Sequence, residues 1–237
     1  MKKYSKMLLM AVIAALCAVS CLPEDDDAVY TDAGMCEIIT PTRLKMDSGL
    51  IYNIVSNRAG DLEVGMKRLM IQCDVLRVTE GKENEYDVDL LSYAQVVCKD
   101  VVRASEADDA ALGDDAINIV EGWIENGYFN AYLQITGVTA SKTEHLVNLV
   151  FNDVRSNSDT LYFEMRHNAY GESFDNPDIS TADLSIMEGY TSFPITELRP
   201  AGSGKIVMHF DWEWFNIVNN VLSSEKCPSS GDLTYKY

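Results

Sequence analysis

The stretch TLYFEMRHNAYG, residues 160–171, decides the fold class of this 237-residue chain. Leu161, Phe163 and Met165 alternate with polar or aromatic neighbours, which is the period of a strand with one face in a core. His167 continues the apolar face, and Gly171 marks a turn. The stretch therefore predicts a β-strand whose last inward residue is polar.

The same alternation recurs through the second half of the chain, in residues 128–135, 145–151, 205–212 and 233–237. Short strands separated by Ser, Asn, Asp and Gly clusters favour an antiparallel β-sandwich over residues 116–237. Residues 211–223 are ambiguous, because their apolar side chains also fit one helical face.

The first half predicts strands at residues 49–56, 66–79 and 86–90, with no helical interlude. This arrangement favours a small barrel or sandwich over residues 35–103. Residues 104–115 break the pattern with five acids and four alanines, which indicates a linker; a long loop within one domain is the alternative. The predicted fold class is all-β, with two domains.

The N-terminus has the features of a bacterial lipoprotein export signal. Three lysines precede an apolar run at residues 7–18, which is too short to span a bilayer. Ala18-Val19-Ser20-Cys21 fits a lipobox, so we predict a cleaved signal peptide, residues 1–20, and lipidation of Cys21. Ordinary signal cleavage, leaving Cys21 as a free thiol, is the alternative.

The chain is strongly acidic, with a formal charge of −18. Cleavage before Cys21 would remove three lysines and no acid, which makes the charge −21. Such a surface repels phosphate backbones, so nucleic acid is excluded as an expected partner. An acidic field suits association with a basic protein.

Four further cysteines, Cys36, Cys73, Cys98 and Cys227, form an even set in a chain predicted to be exported. Disulfides are permitted there, and three connectivities remain open. Cys73 shares an alternating face with apolar neighbours, which favours a buried thiol over a bridge.

Four stretches together resemble the NigD-like lipoproteins of Bacteroidota: residues 113–117, 127–130, 145–150 and 161–171. The resemblance implies an N-terminal OB-like β-barrel followed by a C-terminal β-sandwich. It also implies a role in bacteriocin immunity, from which the family takes its name. The acidic residues 24–27, in a tether over residues 21–34, resemble the surface-export signal of Bacteroidota lipoproteins. We therefore expect an outer-membrane lipoprotein at the cell surface, with a periplasm-facing anchor as the alternative.

Arg166, His167, Asn168 and Tyr170 are the candidate structural or ligand-contact residues, because they form the most specific part of the resemblance. No phosphate loop, GxSxG elbow or HExxH pair occurs, and the three histidines fall on separate predicted strands. We therefore predict no catalytic residues, no metal and no cofactor.

The leading hypothesis is a non-enzymatic, lipid-anchored envelope protein that binds an unknown protein or glycan. The alternative is a carbohydrate-binding or adhesion module that uses exposed aromatic residues such as Tyr132. A third hypothesis is an envelope hydrolase that uses His167 beside an acid such as Glu164, which requires a solvent-reachable imidazole.

Overall fold

A computed structural model describes residues 30–62, 66–174, 176–218 and 221–237. The predicted signal peptide, Cys21 and residues 22–29 of the predicted tether lie outside the described residues, whereas residues 30–34 of that tether belong to the first strand. The regular secondary structure of the described chain is almost entirely β-strand, which confirms the all-β prediction. The chain divides into two compact units, with the boundary between residues 95 and 96. No helix among the described residues is long and apolar enough to cross a bilayer.

The first unit is a small closed barrel. Its strands are β1 (Tyr30–Thr40), β2 (Arg43–Met46), β3 (Ile51–Asn57), β4 (Arg68–Val78) and β5 (Glu85–Cys98). They lie in the order β3-β2-β1-β4-β5, and a parallel pairing of β3 with β5 closes the sheet. The small barrel expected for the first half of the chain is confirmed.

The first unit buries two cysteines and one charged pair. Cys36 and Cys73 are buried thiols, and burial raises the pKa of each to about 12. Neither forms the disulfide that the even cysteine count allows. The buried guanidinium of Arg68 donates to both carboxylate oxygens of Asp47, at 3.0 and 2.6 Å. A charge this deeply buried requires such a partner.

The second unit is a sandwich of two sheets. Its strands are β6 (Val102–Arg103), β7 (Ile117–Glu125), β8 (Tyr128–Val138), β9 (Leu146–Phe151), β10 (Thr160–Asn168), β11 (Leu184–Pro194), β12 (Lys205–Val218) and β13 (Val221–Lys236). One sheet contains β7, β8, β11 and the last three residues of β5; the other has the order β13-β12-β10-β9-β6. The predicted sandwich is confirmed. Most pairings are antiparallel, but β10–β12, β6–β9 and β11–β5 are parallel.

A stack of four aromatic rings joins the two sheets. Phe163 of β10 lies in register with Phe151 of β9 and Phe210 of β12, with ring centroids 5.4 and 5.2 Å apart. Phe210 stacks on Phe129 of the opposite sheet at 4.1 Å. The inward face predicted from the alternation therefore forms the centre of this core.

The structure resolves one ambiguous stretch and differs from one sequence expectation. Residues 211–218, which also fitted a helix, continue β12 as a strand, because pairing with β13 satisfies their backbone groups. The boundary between the units falls at Gln95/Val96, within β5, and not in residues 104–115. Those residues form a 3-10 turn (Ala104–Glu106) and a short helix, α1 (Asp109–Leu112), and their end is hydrogen-bonded to β10.

Candidate functional site

The end of β10 is fastened to the segment that follows α1. The Arg166 Nε–H donates to the Gly113 carbonyl at 2.7 Å, and the Asn168 amide donates to the Ala111 carbonyl at 3.2 Å. Asp115 forms two further hydrogen bonds with this end of β10. Its N–H donates to the His167 carbonyl at 2.9 Å, and its carboxylate accepts from the Ala169 N–H at 2.7 Å. Two of the four candidate residues, Arg166 and Asn168, thus hold the backbone of this segment in place.

Gly113 is the residue that permits this contact. Its backbone has φ 72° and ψ 173°, a region that only glycine adopts readily. A Cβ built there would lie 2.6 Å from the Asn168 Cβ and from the His167 carbonyl oxygen. The close approach of the two segments therefore requires a glycine.

His167 is enclosed in the core, as its place on the inward face predicts. It is 0% exposed, and burial lowers its pKa to about 4. Its Nδ1 lies 3.0 Å from the Ala116 carbonyl, which can only accept, so Nδ1 carries the proton. Both ring nitrogens are occupied and the ring has no solvent access. The hydrolase hypothesis, which needs a reachable imidazole, loses its basis.

His145 extends this hydrogen-bonded chain toward the surface. Its Nδ1 lies 3.0 Å from His167 Nε2 and its Nε2 lies 3.4 Å from the Glu172 carboxylate. Glu172 also accepts from Ser141, from the Thr143 hydroxyl at 2.6 Å and from the Val138 N–H at 3.2 Å. These bonds, led by those of Ser141 and Thr143, lower the pKa of Glu172 to about 2. The chain of contacts fixes residues 138–145 against the end of β10.

Tyr170, the fourth candidate residue, lies at the turn after β10. Its φ is 52°, its side chain is 58% exposed, and its N–H donates to the Asn168 side chain at 2.9 Å. It is the most exposed of the four. Arg166, His167 and Asn168 thus connect β10 to the segment after α1 by hydrogen bonds, and Tyr170 is an exposed aromatic residue beside them.

A cleft of about 550 Å³ opens beside His145, between the start of β9 and the inner face of β8 and β11. Its apolar lining on the inner face includes Val97, Leu133, Ile135, Leu146, Val147 and Met187. Gly189 pairs with Leu133 across the strands, so the two positions share a face. A Cβ at Gly189 would meet nothing within 4 Å, and its φ is not positive. The missing side chain leaves the cleft open.

Two polar side chains in this cleft were not singled out from the sequence. The Lys99 ammonium donates to the Val147 carbonyl at 2.9 Å and to the Asn148 side-chain oxygen at 2.7 Å, and burial lowers its pKa. Thr191 is 4% exposed, and its hydroxyl has no hydrogen-bond partner among the described residues. No motif could have identified either residue, because only the folded arrangement brings them into one cleft.

The outer face of the same sheet carries an aromatic pair. Tyr132 lies opposite Tyr190, with ring centroids 5.0 Å apart. The Tyr132 hydroxyl donates to Glu188, whose other oxygen accepts from the Gln134 amide at 2.7 Å. These polar groups are satisfied within the protein, so the cleft is the better candidate site. Among the described residues, no group of His, Cys, Asp and Glu is arranged to hold a metal ion.

The fold and the cleft define the class: a β-sandwich protein, preceded by a small barrel, with an open and largely apolar cleft. The family model for the NigD-like C-terminal beta sandwich domain matches residues 100–220, about half of the chain. The chain belongs to this NigD-like family. A search of curated proteins gave no match.

Solved structures with the same fold come from Bacteroides species. A protein of unknown function from Bacteroides vulgatus has a TM-score of 0.59 at 14% identity, over 88% of this chain and 91% of that one. A NigD-like immunity protein from Bacteroides caccae has a TM-score of 0.58 at 17% identity, over 85% and 92%. A proposed lipoprotein from Bacteroides fragilis has a TM-score of 0.56 at 11% identity, over 87% and 99%.

Replacing Gly113 with alanine should destabilise the second unit. The backbone strain alone should cost about 1–3 kcal/mol, and the Cβ would also press on β10. Urea unfolding of the Gly113→Ala variant measures the loss. Gly189→Ala is the matched control and should leave the free energy of unfolding nearly unchanged. Equal stability of the two variants would show that the close approach at Gly113 is not required.

His167 should make the protein less stable in mild acid. Its pKa is about 4 in the folded state and about 6.5 unfolded, so the unfolded chain binds the extra proton first. The contribution of the neutral imidazole to the free energy of unfolding is complete above pH 6.5 and falls as the pH drops toward 4. We expect a loss of about 2 kcal/mol between pH 7 and pH 5. Urea unfolding at both values should show this loss in the wild type and a smaller one in His167→Gln.

His209 provides the opposite control for this experiment. Burial alone would lower its pKa, but hydrogen bonds to Asp232 and Asp211 and their charges raise it overall. Its contribution is present below pH 6.5 and is lost as the pH rises through the raised pKa. His209→Gln should therefore change the pH slope in the opposite direction from His167→Gln. A wild-type slope retained in His167→Gln would contradict the neutral, buried imidazole.

Proposed function

We propose that this chain is a non-enzymatic, lipid-anchored protein of the cell envelope that binds a partner in the cleft beside His145. The observation that carries the proposal is the cleft itself: an apolar lining left uncovered by Gly189, on rigid strands. Concave, mostly apolar sites with a few polar groups are typical of ligand binding. The enclosed ring of His167 supports binding over catalysis.

Anchoring follows from the lipobox at Cys21, with attachment to the outer membrane and display at the cell surface. Residues 24–27 support surface display, since they resemble the acidic export signal of Bacteroidota lipoproteins. The proposed lipoprotein from Bacteroides fragilis has the same fold. An anchored binding protein meets its partner at the membrane where that partner arrives.

Bacteriocin immunity is the specific form of this function that the family supports. The relative from Bacteroides caccae is described as an immunity protein. The acidic chain would attract a basic toxin over a distance and so raise the rate of encounter. Binding at the envelope would then intercept the toxin before it reaches its target.

Replacing Cys21 with serine should abolish lipid attachment. Radiolabelled palmitate should enter the wild type and not Cys21→Ser, and the variant should leave the membrane fraction. Cys17→Ser is the matched control and should incorporate label normally, because bulky Leu16 precedes it. Palmitate incorporation into Cys21→Ser would overturn the assigned anchor. Protease treatment of intact cells should remove wild-type protein if it is displayed outside.

A leucine at position 189 should fill the cleft and prevent partner binding on intact cells. A photoreactive benzoylphenylalanine replacing Met187 should give a crosslinked adduct, and Gly189→Leu should remove that adduct. Val154, which is 86% exposed and away from the cleft lining, provides two controls. Val154→Leu should leave the Met187 adduct intact, and the photoreactive residue at position 154 should give none.

Immunity is tested separately in cells that lack the gene. Wild type and Val154→Leu should restore survival in supernatants of bacteriocin-producing Bacteroidota, whereas Gly189→Leu should not. Survival restored equally by Gly189→Leu would remove the cleft from the immunity role. Adducts of equal yield at positions 187 and 154 would contradict the cleft as the binding site.

A further inference from the structure

The polar groups that face the cleft from its walls include an excess of hydrogen-bond donors. An ammonium group carries three N–H bonds, and Lys99 uses two of them, toward Val147 and Asn148. No carboxylate among the described residues lies within ion-pairing distance of Lys99. A cation without an acidic partner is notable in a chain with 37 acids and 19 bases. The third N–H of Lys99 is available to an acceptor in the cleft.

Thr191 adds a second unsatisfied group to the same wall. It lies opposite Val97 in the parallel pairing of β11 with β5, and Lys99 follows Val97 by two residues. Thr191 and Val97 therefore share one face of the sheet, and both line the cleft together with Lys99. The Thr191 side chain is 96% buried by its neighbours, and no described residue accepts from or donates to its hydroxyl. A buried polar group of this kind is costly unless a ligand or water satisfies it.

The acidic side chains near the cleft do not accept hydrogen bonds from Lys99 or Thr191. Both carboxylate oxygens of Glu188 accept bonds on the outer face of the sheet, from Tyr132 and Gln134. Glu144 is exposed at the rim. Glu172 lies behind His145, where Ser141 and Thr143 occupy it. The acceptor that fits Lys99 and Thr191 must come from outside the described chain.

We propose that the cleft binds an apolar carboxylate, with its apolar body over Gly189, Leu133 and Ile135 and its carboxylate on the Lys99 ammonium and the Thr191 hydroxyl. This inference rests on the proposed function, since it names the ligand chemistry of the same cleft. A carboxylate supplies only acceptors, and its bonds to a cation are among the stronger hydrogen bonds in proteins. The cleft volume of about 550 Å³ lies within the range that is usual for sites that bind small molecules.

Two sources offer this chemistry: a fatty acid, and the C-terminal residue of an apolar protein tail. In both, an apolar group ends in one carboxylate, so the site alone does not separate them. For the second source, the acidic field of the chain would draw a basic protein close, and its C-terminus would enter the cleft.

Titration calorimetry on the full mature chain carrying Cys21→Ser tests the proposal. The probes are octanoate with 1-octanol, and N-acetyl-leucyl-leucine with its C-terminal amide. We expect each carboxylate to bind about ten-fold or more tightly than its neutral counterpart, which corresponds to about 1.4 kcal/mol. The pair that shows the tighter binding identifies the source.

Variants of the two donors make the test specific. Lys99→Met should remove the preference for the carboxylate and leave 1-octanol binding unchanged, while Lys99→Arg should retain the preference. Thr191→Val keeps the shape of the side chain, removes only the unsatisfied hydroxyl, and should weaken carboxylate binding several-fold. Gly189→Leu should weaken the binding of all four probes, because the leucine side chain fills the cleft.

Three results would overturn the proposal: equal binding of acid and neutral probes, an undiminished preference in Lys99→Met and Thr191→Val, or no binding of any probe. The crosslinking experiment at position 187 remains independent of these results. An adduct there, with no carboxylate preference in calorimetry, would reject the ligand class and retain the cleft as a partner site. Absence of both the adduct at position 187 and the carboxylate preference would reject the proposed function as well.

Discussion

The β-sandwich unit depends on one constraint: every second side chain of β10 must enter the core, and the fourth of them is a histidine. Leu161, Phe163 and Met165 satisfy the constraint by packing, but an imidazole brings two polar nitrogens into a region without water. The carbonyl of Ala116 satisfies one nitrogen of His167, and His145 satisfies the other. The segments that supply these partners are thereby fixed around the end of β10.

The wall of the cleft follows from the same constraint. Because His145 must reach His167, the chain before β9 is held inward, and Glu172 secures its other side through Ser141 and Thr143. The opposite wall belongs to β8 and β11, where Gly189 supplies no side chain to close the gap. The cleft is therefore open between a hydrogen-bonded wall and an uncovered apolar strand. Because the wall is already held in place, a ligand would order few side chains on binding, which lowers the entropic cost of binding.

The sequence predicted those features that depend on local periodicity. Alternation identified the inward face of β10, the buried position of Cys73 and the two-part β architecture, because a strand with one face in a core shows these patterns locally. It did not predict the parallel pairing of β10 with β12 or the unit boundary within β5, which depend on chain topology. The partners of His145 and Lys99 lie 22 to 49 residues away in the chain, so no motif spacing records them.

The candidate residues read from the sequence and the cleft are nevertheless connected physically. Arg166, His167 and Asn168 hold the end of β10 and its neighbouring segment in place, and His167 positions His145 at the margin of the cleft. The pattern that identifies the family therefore lies in the support of the site, while the cleft lining comes from other strands. Support of this kind must keep one geometry, because the two walls meet through it. The lining has no such supporting role, and in the proposed carboxylate site Lys99 and Thr191 are the residues that would set the ligand preference.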